Sequence, residues 1–174
     1  MLKNYIFDLG GVLLDIRMQN SYERFTDFGL PAAELAVGAD VYKLMENYQL
    51  GWISSDDFCK QIAERCHLGT TPYQIECAWN SICLGVAERK LEALRRLRQT
   101  EGVASVSLLS NTNTLHWDCC CKNWFSANGN KPEDLFRPHF LESRNALAKA
   151  GPRDFQYGHP RARSLPRRND IPRR

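Results

Sequence analysis

Two short apolar runs, one ending at Asp8 and the other at Ser110, stop abruptly in polar residues, and most of the chain between them has helical periodicity. The first run is Asn4-Tyr5-Ile6-Phe7-Asp8, followed by Leu9-Gly10-Gly11-Val12-Leu13-Leu14-Asp15. β-Branched and aromatic residues that end at a carboxylate and run into glycines read as a buried strand followed by a turn. The second run, Val103-Ala104-Ser105-Val106-Ser107-Leu108-Leu109, reads as a buried strand leading into Ser110-Asn111-Thr112-Asn113. A right-handed strand-helix-strand crossover would set the two strands parallel, with Asp8 and Ser110 at one sheet edge. Open α/β sheets place their chemistry at the C-terminal ends of parallel strands, and two glycines let the backbone approach whatever Asp8 faces. The first run taken alone is equally well a capped strand and a turn.

Between the runs the pattern predicts helices. Tyr22, Phe25 and Phe28 repeat at helical spacing within residues 18–28, as do Val41, Leu44, Met45 and Tyr48 within residues 41–50. Ser55 is expected to cap a third helix, Thr71-Pro72 opens a fourth, and residues 88–99 form a fifth with Leu91, Leu94 and Leu97 inward. Gly29, Gly51 and Gly69 mark the breaks. These apolar stripes are expected to be core, not cofactor contacts.

At 174 residues and 43% hydrophobic content the chain is large enough for one domain with a real core. No run approaches the roughly 18 uncharged apolar residues that a spanning helix needs, so neither a membrane anchor nor a signal peptide is expected. Seven cysteines, an odd number unevenly spaced, argue for reduced thiols and a cytoplasmic location. Adjacent Cys119, Cys120 and Cys121 lack the spacing that lets two sulfurs converge on one ion, and no metal is expected there. The net charge of +3 hides a division. Residues 137–174 hold ten Lys and Arg against three Asp and Glu, a balance of +7, which leaves −4 for residues 1–136. The basic segment is rich in Arg and Pro and poor in large aliphatics, so it is expected to be disordered.

Ile6-Phe7-Asp8-Leu9-Gly10-Gly11-Val12-Leu13-Leu14-Asp15 and Leu108-Leu109-Ser110-Asn111-Thr112-Asn113 resemble the first and second motifs of the haloacid dehalogenase superfamily, in its branch of small sugar-phosphate phosphatases with a helical cap. The resemblance runs from Met1 to about Phe136 and includes the cap phrase Tyr48-Gln49-Leu50-Gly51-Trp52-Ile53-Ser54. It implies a Rossmann-like α/β core with a parallel sheet and an inserted all-helical cap. The division would be core at 1–15, cap at 16–86, core again at 87–136, and a basic tail at 137–174.

The resemblance further implies an Mg²⁺-dependent phosphatase acting on a small phosphorylated metabolite through an aspartyl-phosphate. Asp8 would be the nucleophile; the Asp8 carboxylate and the Gly10 carbonyl would hold Mg²⁺; Gly11, Ser110 and the Asn111 amide would bind the phosphoryl group. Gly10 stands where most phosphatases of the superfamily carry a second Asp as acid and base, and the sugar-phosphate branch also has Gly there. Asp15 is expected to be a helix-start or surface carboxylate, not a substitute.

Family members continue with a Lys-Pro-Asp-Pro motif and with a strand ending in Asp-Asp, and neither is visible. Lys131-Pro132-Glu133-Asp134 follows Asn128-Gly129-Asn130 in an expected loop with no strand before it. A one-nucleotide shift of the reading frame changes this picture. From Phe136 the permitted codons then allow Phe-Asp-His-Ile-Phe-Leu-Ser, from Lys149 Lys-Pro-Asp-Pro-Gly-Ile-Phe, and from Asn169 Thr-Ile-Phe-Leu-Asp-Asp, which are the missing strand and both missing motifs in order. The core is therefore expected to be incomplete at the C-terminus, with an unpaired sheet edge, uncovered apolar faces and impaired activity. Two alternatives stand beside the phosphatase: an inactive binding module whose Arg-rich tail contacts a polyanion, with nucleic acid disfavoured because the tail lacks interleaved aromatics beyond Phe155 and Tyr157, and a metal-independent dehalogenase.

Overall fold

The structure is a computed structural model that describes residues 2–126 and 131–136 and the backbone of His139–Leu141. The first apolar run forms β1 (Lys3–Phe7), and a β-hairpin-like ribbon begins soon after it with β2 (Leu14–Ile16). Helices α1 (Gln19–Asp27), α2 (Asp40–Gln49), α3 (Ser55–Ala63) and α4 (Pro72–Asn80) follow, with a 3-10 turn at Ala32–Leu35. The chain returns through β3 (Cys83–Val86), α5 (Glu88–Gln99) and β4 (Val103–Ser110). It continues into α6 (Thr114–Cys120), a π-helical turn at Cys121–Phe125, α7 (Pro132–Leu135) and β5 (His139–Leu141).

β1 and β4 pair in parallel, with Phe7 opposite Leu108, and β5 adds a third parallel strand on the far side of β4. Both crossovers step in the same direction across the sheet, so right-handed connections place their helices on one face. Phe7, Val106 and Leu108 accordingly share a cluster with Leu91 and Leu94 of α5, Trp117 and Cys120 of α6, and Leu135 and Phe136. The opposite face is bare among the described residues: Ile6 is 67% and Leu109 is 46% exposed. β1 has no described neighbour on its outer side. The expectation that both runs are fully buried strands is corrected here, because helices cover one face of the sheet only.

The helical segment has its own core. Phe25, Val41, Phe58, Ile62, Ile75 and Trp79 converge with Tyr48 and Leu30. Each large side chain buried this way contributes about 1.5–3 kcal/mol, so the cluster is large enough to order the four helices. Tyr48 stacks on Phe58 at a 4.5 Å centroid separation, and Trp79 meets Phe58 edge-on at 4.9 Å.

The strands at the two ends of this segment were not expected. β2 and β3 pair antiparallel, Leu14 opposite Val86, so the chain leaves the core and re-enters it through adjacent strands. An inserted unit must start and finish at nearly one place, and a two-stranded ribbon satisfies that constraint while pairing its own backbone groups. The insert is thus helical with a β-ribbon stem. Asp15 lies on β2 and is a surface carboxylate, the second of the two expected positions, not a helix start; it takes a 2.8 Å bond from Lys90 Nζ.

Local signals are borne out at most helix ends. Thr71 and Gln74 form a reciprocal capping box with Pro72 in the first turn, while the cap of α3 is Ser54, not Ser55, its hydroxyl accepting from Asp57 N at 3.0 Å. Ser55 instead lies inside α3, where its hydroxyl bonds Tyr48 Oη at 2.9 Å. Lys131-Pro132-Glu133-Asp134 is the start of α7, not a loop, because Asp134 caps Lys131 N and Pro132 suits a first helical turn. β5 corrects the expectation of a bare edge at β4, since residues 139–141 pair there in the frame as written. Within the basic tail assigned to residues 137–174, only the backbone of His139–Leu141 is described; the expected disorder of the rest lies outside the described residues.

Gly29 closes α1 at φ +84, and a Cβ there would overlap the His67 imidazole, whose own backbone N–H bonds Phe28 O at 2.8 Å. Gly29→Ala should destabilise the protein by about 2–3 kcal/mol, combining left-handed strain with a steric clash. Gly38→Ala, at φ +88 in open space, should lose only about 1 kcal/mol. Urea midpoints of the two variants check the difference.

Candidate active site

Asp8 is the first residue after β1, and Ser110 is the last of β4. Because Phe7 pairs with Leu108, the two emerge at the same end of neighbouring parallel strands, one step apart in register. Adjacent strands lie about 4.8 Å apart, so one phosphate-sized group can span both side chains. Asp8 is exposed and Ser110 is buried, 6% accessible.

The turn after Asp8 is built by its backbone. Leu9 N donates to Asp8 Oδ1 at 2.7 Å, which fixes the carboxylate and leaves Oδ2 as its outward oxygen. Leu9 O accepts from both Leu13 N and Leu14 N, at 2.9 and 2.8 Å, and Gly11 N donates to Leu14 O at 2.9 Å. This tight loop needs φ +76 at Gly11, a value that glycine adopts without the strain a Cβ would bring. Lys90 Nζ braces the loop from α5 by donating to Leu13 O at 3.1 Å. Leu9 and Leu13, 1% and 4% accessible, anchor it in the core. The sequence thus signalled Asp8, Gly10, Gly11, Ser110 and Asn111, and the structure collects them at one end of the sheet, with Asn111 exposed beyond Ser110.

The donors at this end are hard oxygens: the Asp8 carboxylate and the main-chain carbonyls of the glycine turn. Such a set suits Mg²⁺, which is held by one or two carboxylates and completes its octahedron with water and substrate phosphate. Among the described residues, however, no three His, Cys, Asp or Glu side chains converge on one point.

Beyond Ser110 lies a joint that sequence reasoning missed. Asn113 caps α6, its Oδ1 accepting from His116 N at 3.0 Å and from Trp79 Nε1 at 3.4 Å. Its amide lies 3.0 Å from His116 Nδ1, and His116 Nε2 lies 3.2 Å from Trp79 O. The amide donates to Nδ1, so the proton sits on Nε2 and is given to the Trp79 carbonyl. The His116 ring also stacks on Trp79 at 5.1 Å. Tyr48 Oη accepts from Leu115 N at 3.1 Å, and burial pushes that phenol up to about 12. Leu115 itself packs into the helical cluster. The loop bearing Ser110 and Asn111 is therefore tied to α2 and α4 immediately downstream. The only sequence signal for it was Asn113 before an apolar run; His116 had no legible partner, since Trp79 is far away in the chain.

Among the described residues one cavity of about 480 Å³ opens beside Tyr22, Thr26 and Leu35, and another of about 340 Å³ beside Ser55, Lys60, Tyr73, Glu76 and Leu115. Neither is lined by Asp8 or Ser110.

A parallel sheet with a carboxylate and a hydroxyl at adjacent strand ends, interrupted after its first strand by a helical insert, is the architecture of a haloacid dehalogenase hydrolase. No family profile matches the sequence. The chain is, however, 30% identical over 160 residues to the D-ribitol-5-phosphate phosphatase of Bacteroides thetaiotaomicron, a match covering 90% of this chain and 75% of that protein. It also superposes on the structure of a HAD family enzyme from Bacteroides thetaiotaomicron in complex with magnesium and inorganic phosphate. The TM-score is 0.70 at 31% identity, over 87% of this chain and 74% of that one. A HAD-like hydrolase from Porphyromonas gingivalis shares the fold alone, with a TM-score of 0.66 at 24% identity over 83% of this chain and 68% of its own. The chain belongs to the haloacid dehalogenase superfamily, among its phosphatases. The match to the curated relative covers more than residues 1–136 can supply, so the resemblance does not end at Phe136 as expected.

Burial holds the His116 imidazole down at about 4, against a smaller upward pull from the Trp79 carbonyl. Its folded pKa lies below the unfolded value, so its neutral form stabilises the protein in full above about pH 6.5, and that contribution is lost as pH falls toward 4. The loss should reach about 3 kcal/mol. Urea unfolding between about pH 7 and pH 4 should show it in the wild type and a much flatter dependence in His116→Gln.

Proposed function

We propose that the gene product is an Mg²⁺-dependent phosphomonoesterase for a small sugar or sugar-alcohol phosphate, with Asp8 as nucleophile, and that the chain as written is an impaired form of it. The observation that carries the reading is the pairing of Asp8 with Ser110 at the ends of β1 and β4, beside the glycine turn. The substrate class is supported by the D-ribitol-5-phosphate phosphatase relative, and the metal by the magnesium and phosphate complex of the Bacteroides enzyme.

In this reading the Asp8 Oδ1 atom stays on Leu9 N while Oδ2 attacks phosphorus. The bond to the sugar oxygen breaks and that oxygen takes a proton from water, since Gly10 offers no acid. Water then attacks the aspartyl phosphate, releasing phosphate and returning the carboxylate. Ser110 Oγ and the Asn111 N–H hold the phosphoryl oxygens, and the Gly11 turn lets the backbone come close to them. Mg²⁺, held by the Asp8 carboxylate and the Gly10 carbonyl, would supply charge neutralisation at the phosphoryl oxygens. The helical unit, residues 16–86 with its β-ribbon stem, acts as a cap over the core at 1–15 and 87–136, selecting substrate and excluding water.

The impairment follows from what the sheet end lacks. Among the described residues no three His, Cys, Asp or Glu side chains converge to complete a metal site, and one sheet face and the outer edge of β1 are left open. The shifted reading of residues 136–174 would supply both motifs and further strands, and a slip near codon 136 accounts for the Arg- and Pro-rich composition.

Phosphate release from D-ribitol 5-phosphate with Mg²⁺ should rise by at least about 100-fold when the shifted frame is restored. Asp8→Asn in the restored protein should lower it by about 1,000-fold or more, and EDTA should abolish it. Robust activity and cooperative unfolding of the chain as written would refute the impairment. Activity insensitive to EDTA would favour the dehalogenase-type site.

A further inference from the structure

We propose that Cys83 and Cys120 form an oxidisable dithiol, closed to a disulfide by a hydroperoxide, that staples the return strand of the helical insert to the helix following Ser110. Cys83 begins β3, and Cys119 and Cys120 end α6. Cα atoms of the two elements approach within 8 Å, and Cys83, Cys120 and Cys121 pack in the same apolar cluster. Trp124 of the following π-helical turn lies against Gly85, where a Cβ would stand 3.6 Å from its Nε1, so this segment is seated along β3. Cys83 stands two residues before Gly85 on the same face of β3, and Cys120 stands one helical turn before Trp124, so the seating of Trp124 on Gly85 sets Cys120 toward Cys83. The Cys119 sulfur is already engaged, accepting from Asn123 Nδ2 at 3.4 Å. Cys120 is fully buried in the cluster that Cys83 packs against, which makes it the partner sulfur.

The two thiols are set in opposite directions. The hydrogen bond from Cys120 pulls the Cys83 thiol below its ordinary range, against burial, whereas the same contact and burial push Cys120 up. Cys83 is thus the thiol that ionises first and is also the more accessible of the pair. Its thiolate attacks a peroxide oxygen, the O–O bond breaks, and hydroxide leaves to become water. Cys120 sulfur then attacks the Cys83 sulfenic acid, forming the S–S bond, breaking S–O and passing its proton to the departing hydroxyl as a second water. Two thiols are oxidised by two electrons while one peroxide is reduced to two waters. A three-thiol metal site is not the alternative, since no such group among the described residues has the geometry to hold an ion.

β3 is one of the two strands of the stem, and α6 follows the Ser110 loop directly, so the staple would join the stem of the insert to the core. The test is hydrogen peroxide treatment of the full chain in a Cys66→Ser/Cys77→Ser background. It is followed by alkylation under denaturing conditions and mass spectrometry of the unreduced digest. The expected result is loss of two alkylatable thiols and a cross-linked peptide joining Cys83 to the 119–121 segment, reversed by dithiothreitol, with a higher Tm for the oxidised form. Cys83→Ser should abolish the linkage, as should Cys120→Ser, while Cys119→Ser keeps it. Persistence of the link in Cys120→Ser, or oxidation elsewhere with Cys83 still alkylatable, would overturn the assignment. Thiol counting in the background chain and in Cys119→Ser decides the question even if Cys120→Ser fails to fold.

Discussion

The parallel pairing of β1 with β4 is the interaction on which the candidate site depends. Asp8 and Ser110 are separated by the whole helical insert in sequence, and neither is a site alone. The register that sets Phe7 against Leu108 leaves the next residues of both strands projecting at one end. Burial of Phe7, Val106 and Leu108 against α5 and α6 enforces that register, because a one-residue slip would turn these side chains out to water. The geometry of the candidate site is therefore a by-product of hydrophobic packing on the covered face of the sheet.

The insert needs the same sheet in a different way. Its helices have a core of their own, centred on Phe25, Phe58 and Trp79, but that core is fastened to the rest at two places. One is the β2–β3 stem, braced by Lys90 on Leu13 O and Asp15. The other is the cluster of Asn113, His116, Trp79, Tyr48 and Leu115. Every polar atom used there is buried and paired, so the cluster is an orienting device as well as a stabilising one. It holds the strand-end loop that carries Ser110 and Asn111 in a fixed relation to α2 and α4.

That one face of the sheet is bare among the described residues follows from topology. Successive right-handed crossovers in one direction can cover only one side. Strands continuing from the other edge of β1 would bring helices to the face where Ile6 and Leu109 stand exposed.

Much of this was legible in the sequence because it is local. The aromatic and β-branched run before Asp8, the glycines after it, the helical stripes and the Thr71-Pro72 start each depend on neighbours in the chain, as does Gly29, where a helix stops at φ +84. Resemblance of two motifs then located Asp8, Gly10, Gly11, Ser110 and Asn111. What sequence could not supply were pairings between distant residues. The stem strands β2 and β3 are three and four residues long, too short for a periodic signal, and exist because an inserted unit must leave and return at one place. Ser54 displaced Ser55 as a cap by one position, since only its hydroxyl faces Asp57 N. His116, a solitary histidine in sequence, acquires its partners from Trp79 and Asn113 only on folding. The sequence by itself determined which residues could do chemistry and where helices begin and end, through local backbone and side-chain preferences. Tertiary structure alone decided which of those residues meet, because contact between chain segments so far apart is set by packing and sheet register.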